Sequence, residues 1–136
     1  MKRITTLLFA AVIFAACHSG EQQPSAKYEE KKATLEDMER ESPLKFLRVN
    51  ASHHGNLLNQ TVVEGEISNK ATLVAYKNIQ VQVSFLDKDN ALIEKQKETL
   101  DDVVKPGSSM DFKIKTTHVK GASSVTIDII AAMADK

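Results

Sequence analysis

Apolar side chains recur at every second residue in one segment after another from Pro43 onward. In "NIQVQVSFLD", Ile79, Val81, Val83 and Phe85 point to one side and Gln80, Gln82 and Ser84 to the other. Successive side chains of an extended strand alternate between its faces, so this period describes a strand with one dry face and one wet face. Leu47, Val49 and Ala51 repeat the pattern against Arg48 and Asn50, and Val63, Gly65 and Ile67 repeat it against Glu64 and Glu66. Met110, Phe112 and Ile114 alternate with Asp111, Lys113 and Lys115, and Val125, Ile127 and Ile129 alternate with Thr126 and Asp128. No helical segment separates these strands, which excludes parallel βαβ architecture and predicts antiparallel pairing with one solvated face per sheet.

Two such sheets facing each other make a β-sandwich of about six to seven strands. The core would hold roughly 15 large apolar side chains, each contributing about 1.5–3 kcal/mol gross. The charged strand "LIEKQKETL" reads as an edge, because Lys and Glu there discourage pairing with a neighbouring chain. "DKDN" (87–90) is a turn cluster, and Pro106-Gly107 suits the two central positions of a type II turn. The expected fold class is therefore all-β, an antiparallel immunoglobulin-like sandwich over residues 43–136, preceded by a short N-terminal helix.

That helix is expected over residues 27–42, in "KYEEKKATLEDMERES", and Pro43 closes it. Thr34 and Asp37 have the spacing of a capping box, Glu36 and Arg40 that of an i,i+4 ion pair, and Tyr28, Leu35 and Met38 form a thin apolar stripe. So thin a stripe predicts a helix that docks loosely or serves partly as a stalk.

The first residues have a different logic. Lys2 and Arg3 precede the mainly apolar run Ile4–Ala16, which is too short to span a bilayer and has the layout of a secretory signal peptide, residues 1–16. The only cysteine, Cys17, follows directly. "FAAC" resembles the lipobox of bacterial lipoproteins, which implies that the Cys17 thiol takes a diacylglyceryl group and becomes the first residue of the mature chain. Acyl chains contribute about 0.8 kcal/mol per buried methylene, so two or three hold a small domain on a membrane. "HSGEQQPSA" then reads as a flexible spacer, and residues 17–26 as a lipidated tether. By resemblance to enteric sorting rules, His18 after the cysteine implies the outer membrane.

Removal of Lys2 and Arg3 leaves 16 basic against 18 acidic residues, a net charge of −2. The lysines are interleaved with acids, so no basic stripe marks a nucleic-acid partner. Without a second cysteine, the domain must rest on its core in an oxidising compartment.

Residues 61–130 resemble an FxLYD-type domain, an immunoglobulin-like sandwich of secreted and lipid-anchored bacterial proteins. "VEGEISN" (63–69) corresponds to its early strand ending in asparagine. "VSFLDKDN" lies at the naming motif, with Val83, Phe85 and Leu86 in place of Phe, Leu and Tyr and with Asp87 retained. "KPGSSMDF" corresponds to its later turn and strand phenylalanine. The whole arrangement is also similar to small lipoproteins of the Bacteroidetes type. The resemblance implies a fold and no particular activity.

The residues point to no enzyme and no cofactor. Asp87, Asp89 and Glu98 occupy three positions of a calcium loop, but Ala91 and Leu92 stand where a ligand and a glycine are required. His53-His54, with His118, would approach a metal together only if "HHGN" were a loop. No serine sits in a nucleophile elbow, and Asp101-Asp102 reads as a turn or strand end. The expected role is a lipid-anchored envelope protein whose non-catalytic module binds another envelope protein. The alternative is a small-ligand or glycan carrier, for which five Phe, two Tyr and no Trp offer few stacking platforms. Tyr76 at the start of the longest strand, with Phe46 and Leu86 on faces opposite to the core pattern, are the candidates for an exposed apolar contact patch; the alternative is that these three pack under the helix.

Overall fold

The computed structural model describes residues 26–136. Cys17, the signal segment and nearly all of the tether lie outside the described residues. Two helices, α1 (Ala26–Glu41) and α2 (Pro43–Phe46), precede six strands: β1 (Leu47–Gly55), β2 (Gln60–Asn69), β3 (Tyr76–Leu86), β4 (Leu92–Leu100), β5 (Ser109–Thr117) and β6 (Ser124–Ala134). The strands form two three-stranded sheets, β1-β2-β5 and β4-β3-β6, with every pairing antiparallel. This order corresponds to strands A-B-E and C′-C-F of an immunoglobulin-type sandwich, with no counterpart of strand G among the described residues.

The two inner faces meet in one continuous apolar cluster. Ile79, Val81, Val83 and Phe85 of β3 are each 0% exposed and pack with Val63, Ile67, Phe112 and Ile114 of the facing sheet. β4 is the open edge of its sheet, and its Glu94, Lys95, Lys97 and Glu98 are exposed, as the charged-edge reading requires. Asp87 Oδ1 accepts from the amides of Asp89 and Ala91 and so builds the β3–β4 turn. At Pro106-Gly107, Gly107 takes φ +68° and Ser108 N donates to Lys105 O, as a type II turn demands.

One fastening stands outside the apolar pattern. Asn69, 1% exposed at the end of β2, donates from Nδ2 to the carbonyls of Val74 (2.8 Å) and Val104 (3.0 Å). Its Oδ1 accepts from the amide of Ala71 (2.8 Å), so one amide ties the β2–β3 and β4–β5 connections together.

Helix α1 corrects two expectations. Thr34 does not cap it, because the helix already begins at Ala26; Thr34 Oγ1 instead donates back to Glu30 O at 2.9 Å in mid-helix. The stripe of Tyr28, Leu35 and Met38 is not the docking face either, since Tyr28 is 62% and Met38 52% exposed. Residues 27–34 are all exposed, and the helix is hydrogen-bonded to the sandwich through Glu39 and Arg40 near its end. The Glu36–Arg40 pair forms at 2.8 Å, and Arg40 also donates to Asp135 O.

Candidate interaction surface

The last turn of α1 docks through a carboxylate. Glu39 is 1% exposed, and its two oxygens accept from the backbone amides of Thr72 (2.7 Å), Leu73 (2.8 Å) and Val74 (3.0 Å). These amides lie in the β2–β3 connection that Asn69 shapes from beneath. Tyr76 completes the joint by donating its hydroxyl to Glu39 O at 2.7 Å. Burial, and secondly the nearby Glu39 charge, push the Tyr76 phenol up to about 12, so it remains a donor throughout the physiological range.

This placement decides Tyr76 for packing under the helix and against the exposed patch. Unbroken alternation along β3 would set Tyr76 on the face opposite Ile79, Val81, Val83 and Phe85. The register instead shifts between Lys77 and Gln80, where Asn78 adopts φ +47°. The extra residue of this bulge brings Tyr76 and Ile79 to the same dry face, and Tyr76 is 0% exposed. Leu86 is half-buried at the other end of β3, too far from α1 to lie beneath it. Phe46, half-buried in α2, packs against the core cluster. The three residues therefore do not form one patch.

Of the three, Phe46 lies beside an exposed apolar surface. Pro43 starts α2 at a position where its missing N–H costs nothing, and the short turn lays Leu44 across the small side chains of Ala131 and Ala132 in β6. The cleft between them has a volume of about 400 Å³, bordered by Glu41 and Lys45. Leu44 is 46% exposed, and Met133 nearby on β6 is 57% exposed rather than part of the core. Lys77 and Asp135 pair at 2.7 Å, and that lysine's hydrogen bond holds the Asp135 carboxyl below the usual range.

Other hollows are open to water. A depression of about 730 Å³ on the outer face of β1-β2-β5 is bordered by Asn50, Glu64, Glu66, Asp111 and Lys113. Its Glu64 carboxyl is held below the usual range chiefly by a hydrogen bond from Lys113 at 2.9 Å. His53 and His54 lie within β1, paired opposite Val63 and Val62, so "HHGN" is not the loop a shared metal would need. Among the described residues, no group of three or more His, Cys, Asp or Glu is placed to hold a metal ion. Nor is any helix there long and apolar enough to cross a membrane.

Sequence periodicity missed both Glu39 and the leucine pair Leu57-Leu58, which are 104% and 76% exposed at the β1–β2 turn. For the leucines a signal existed: an apolar pair between two asparagines, in "NLLN", interrupts a polar turn.

No family model matches the chain, and no curated protein is significantly similar to it. A solved structure of a DUF1425 family member from Shewanella sp. pv-4 superimposes with a TM-score of 0.47 at 14% identity, over 65% of this chain and 81% of that one.

Proposed function

We propose that this chain is a lipid-anchored protein of the bacterial cell envelope, held at the outer membrane through Cys17, whose sandwich is a non-catalytic module that binds another envelope protein. The observation that carries the contact is the α2–β6 cleft. Exposed Leu44 and Pro43 border a floor of small alanines between Glu41 and Lys45, and exposed Met133 follows the alanines along β6, the make-up of an apolar contact centre with a charged rim. The exposed residues 27–34 of α1 serve as a spacer between tether and domain. A continuous core and open hollows favour surface contact over an enclosed small ligand or glycan. The FxLYD-type likeness belongs to the same reading. Its motif residues Asn69, Phe85 and Phe112 are buried and act on the fold, leaving the surface to set the partner.

In-cell crosslinking followed by capture from membranes tests this. The same envelope protein should be enriched with the unaltered chain, be lost with Cys17→Ala, and fall about tenfold with Leu44→Asp combined with Met133→Asp. Recovery of only bulk abundant proteins, alike for all three chains, would count against the interaction role.

A further inference from the structure

The end of the sandwich remote from α1 carries a second exposed apolar feature, and it is built rather than loose. Asn56 Oδ1 accepts from the amides of Leu58 (2.9 Å) and Gln60 (3.0 Å), and Asn56 Nδ2 donates to Gln60 Oε1 (3.0 Å). Asn59 N donates to Asn56 O, Asn59 takes φ +56°, and its carbonyl accepts from His118 N of the β5–β6 loop. This bracing holds Leu57 and Leu58 at 104% and 76% exposure on a convex tip. Such a pair in water carries no benefit for folding, and its ordering is already complete before any partner arrives.

The surroundings of the tip select the partner. Residues 53–63 and 115–127, which form the two sides of this end of the sheet, contain no Asp or Glu. They carry Lys115, Lys120, His53, His54 and His118, all exposed. Glu64 and Asp128 directly follow these two stretches; the Glu64 carboxylate is taken up by Lys113 at 2.9 Å and faces His54 Nδ1 at 3.9 Å, and Asp87 and Asp89 are on the hairpin of the other sheet, where the Asp87 carboxylate is tied to its own turn. Leu92 and Ile93 at the start of β4 add exposed apolar surface at the same end, 51% and 42% exposed. A convex apolar tip has no pocket to receive a protein anchor, whereas acyl chains close around any protrusion. The two lysines beside it, Lys115 and Lys120, complement anionic headgroups.

We infer that the Leu57-Leu58 tip is a membrane-insertion site, which enters the interface of an anionic bilayer with Lys115 and Lys120 against the headgroups. The inference goes beyond the anchored reading and does not require Cys17 to be lipidated. With an anchored N-terminus, the tip gives the domain a second point of attachment.

The chain has no tryptophan, so Leu58→Trp introduces a single reporter at a position 76% exposed, outside the core. The full chain carrying it is mixed with phosphatidylglycerol-containing vesicles whose acyl chains are brominated. Its emission should shift to the blue and be quenched by bromine. Val103→Trp, at the opposite end and 46% exposed, should remain unquenched. Added Leu57→Asp, or Lys115→Glu with Lys120→Glu, should weaken insertion at least about tenfold. An indole at position 58 that keeps its aqueous emission while the chain floats with the vesicles would overturn the inference. So would burial of that indole only on adding envelope protein, which would assign the tip to a protein partner. Equal insertion into uncharged phosphatidylcholine vesicles would overturn the anionic assignment. The intact mass of the chain from cell membranes reports modification of Cys17 alone, and leaves this result to be read separately.

Discussion

Replacing Glu39 by alanine is expected to lower the stability of the domain by about 3 kcal/mol and to release α1. The carboxylate satisfies three backbone amides of the β2–β3 connection, and its residue's carbonyl accepts the Tyr76 hydroxyl. Charge-assisted hydrogen bonds contribute about 1.5–3 kcal/mol each, but water reaches the amides once the helix leaves, so the bonds do not sum fully. Glu39→Gln keeps one acceptor while turning an NH2 group toward amide donors, and should lose about 2 kcal/mol. Urea titration gives the stabilities. Limited trypsinolysis reports the helix, because Lys27, Lys31, Lys32 and Arg40 become cleavable faster as it undocks. A change below about 0.5 kcal/mol, within the range of ordinary surface substitutions, would refute the clamp.

Gly65→Val should cost at least about 3 kcal/mol, and Gly65→Ala about 2 kcal/mol. Gly65 pairs with Ala51 of β1 on one side and Phe112 of β5 on the other. A Cβ there would collide with Asn50 O and come within 2.6 Å of Ala51 Cα and 2.8 Å of Ala51 Cβ. Two of these are backbone atoms, which cannot swing aside as a side-chain end can, so β1 must move away from β2. The loss should appear in thermal melts and in faster amide exchange along β1. Exchange unchanged in β1 would contradict the close approach.

The strand pattern was legible because each strand keeps one face dry, and period two is the direct record of that. The open edge was legible in the charges of β4, and two turns in their Asp and Pro-Gly residues. The sequence leaves open whether Tyr76 is buried or exposed, because the β3–β6 register shifts twice between Lys77 and Val81 beside Asn78, and nothing in the flanking alternation announces it. The docking of α1 was hidden for a different reason. Apolar periodicity assigns a glutamate to water, whereas Glu39 is solvated by peptide amides that converge only after β2 and β3 have folded. Thr34 had the spacing of a cap, but the sequence pattern could not tell that the helix starts eight residues earlier. The α2–β6 cleft was not legible, because the meeting of exposed Leu44 with Ala131 and Ala132 depends on how α2 crosses β6.

The central claim is that Cys17 fastens this sandwich to a membrane, and the intact mass of the protein extracted from cell membranes tests it most directly. The expected chain begins at Cys17, lacks residues 1–16, and carries the added mass of a diacylglyceryl group with a further acyl chain on its amine. A chain that begins elsewhere, or one with an unmodified Cys17 thiol, would contradict it.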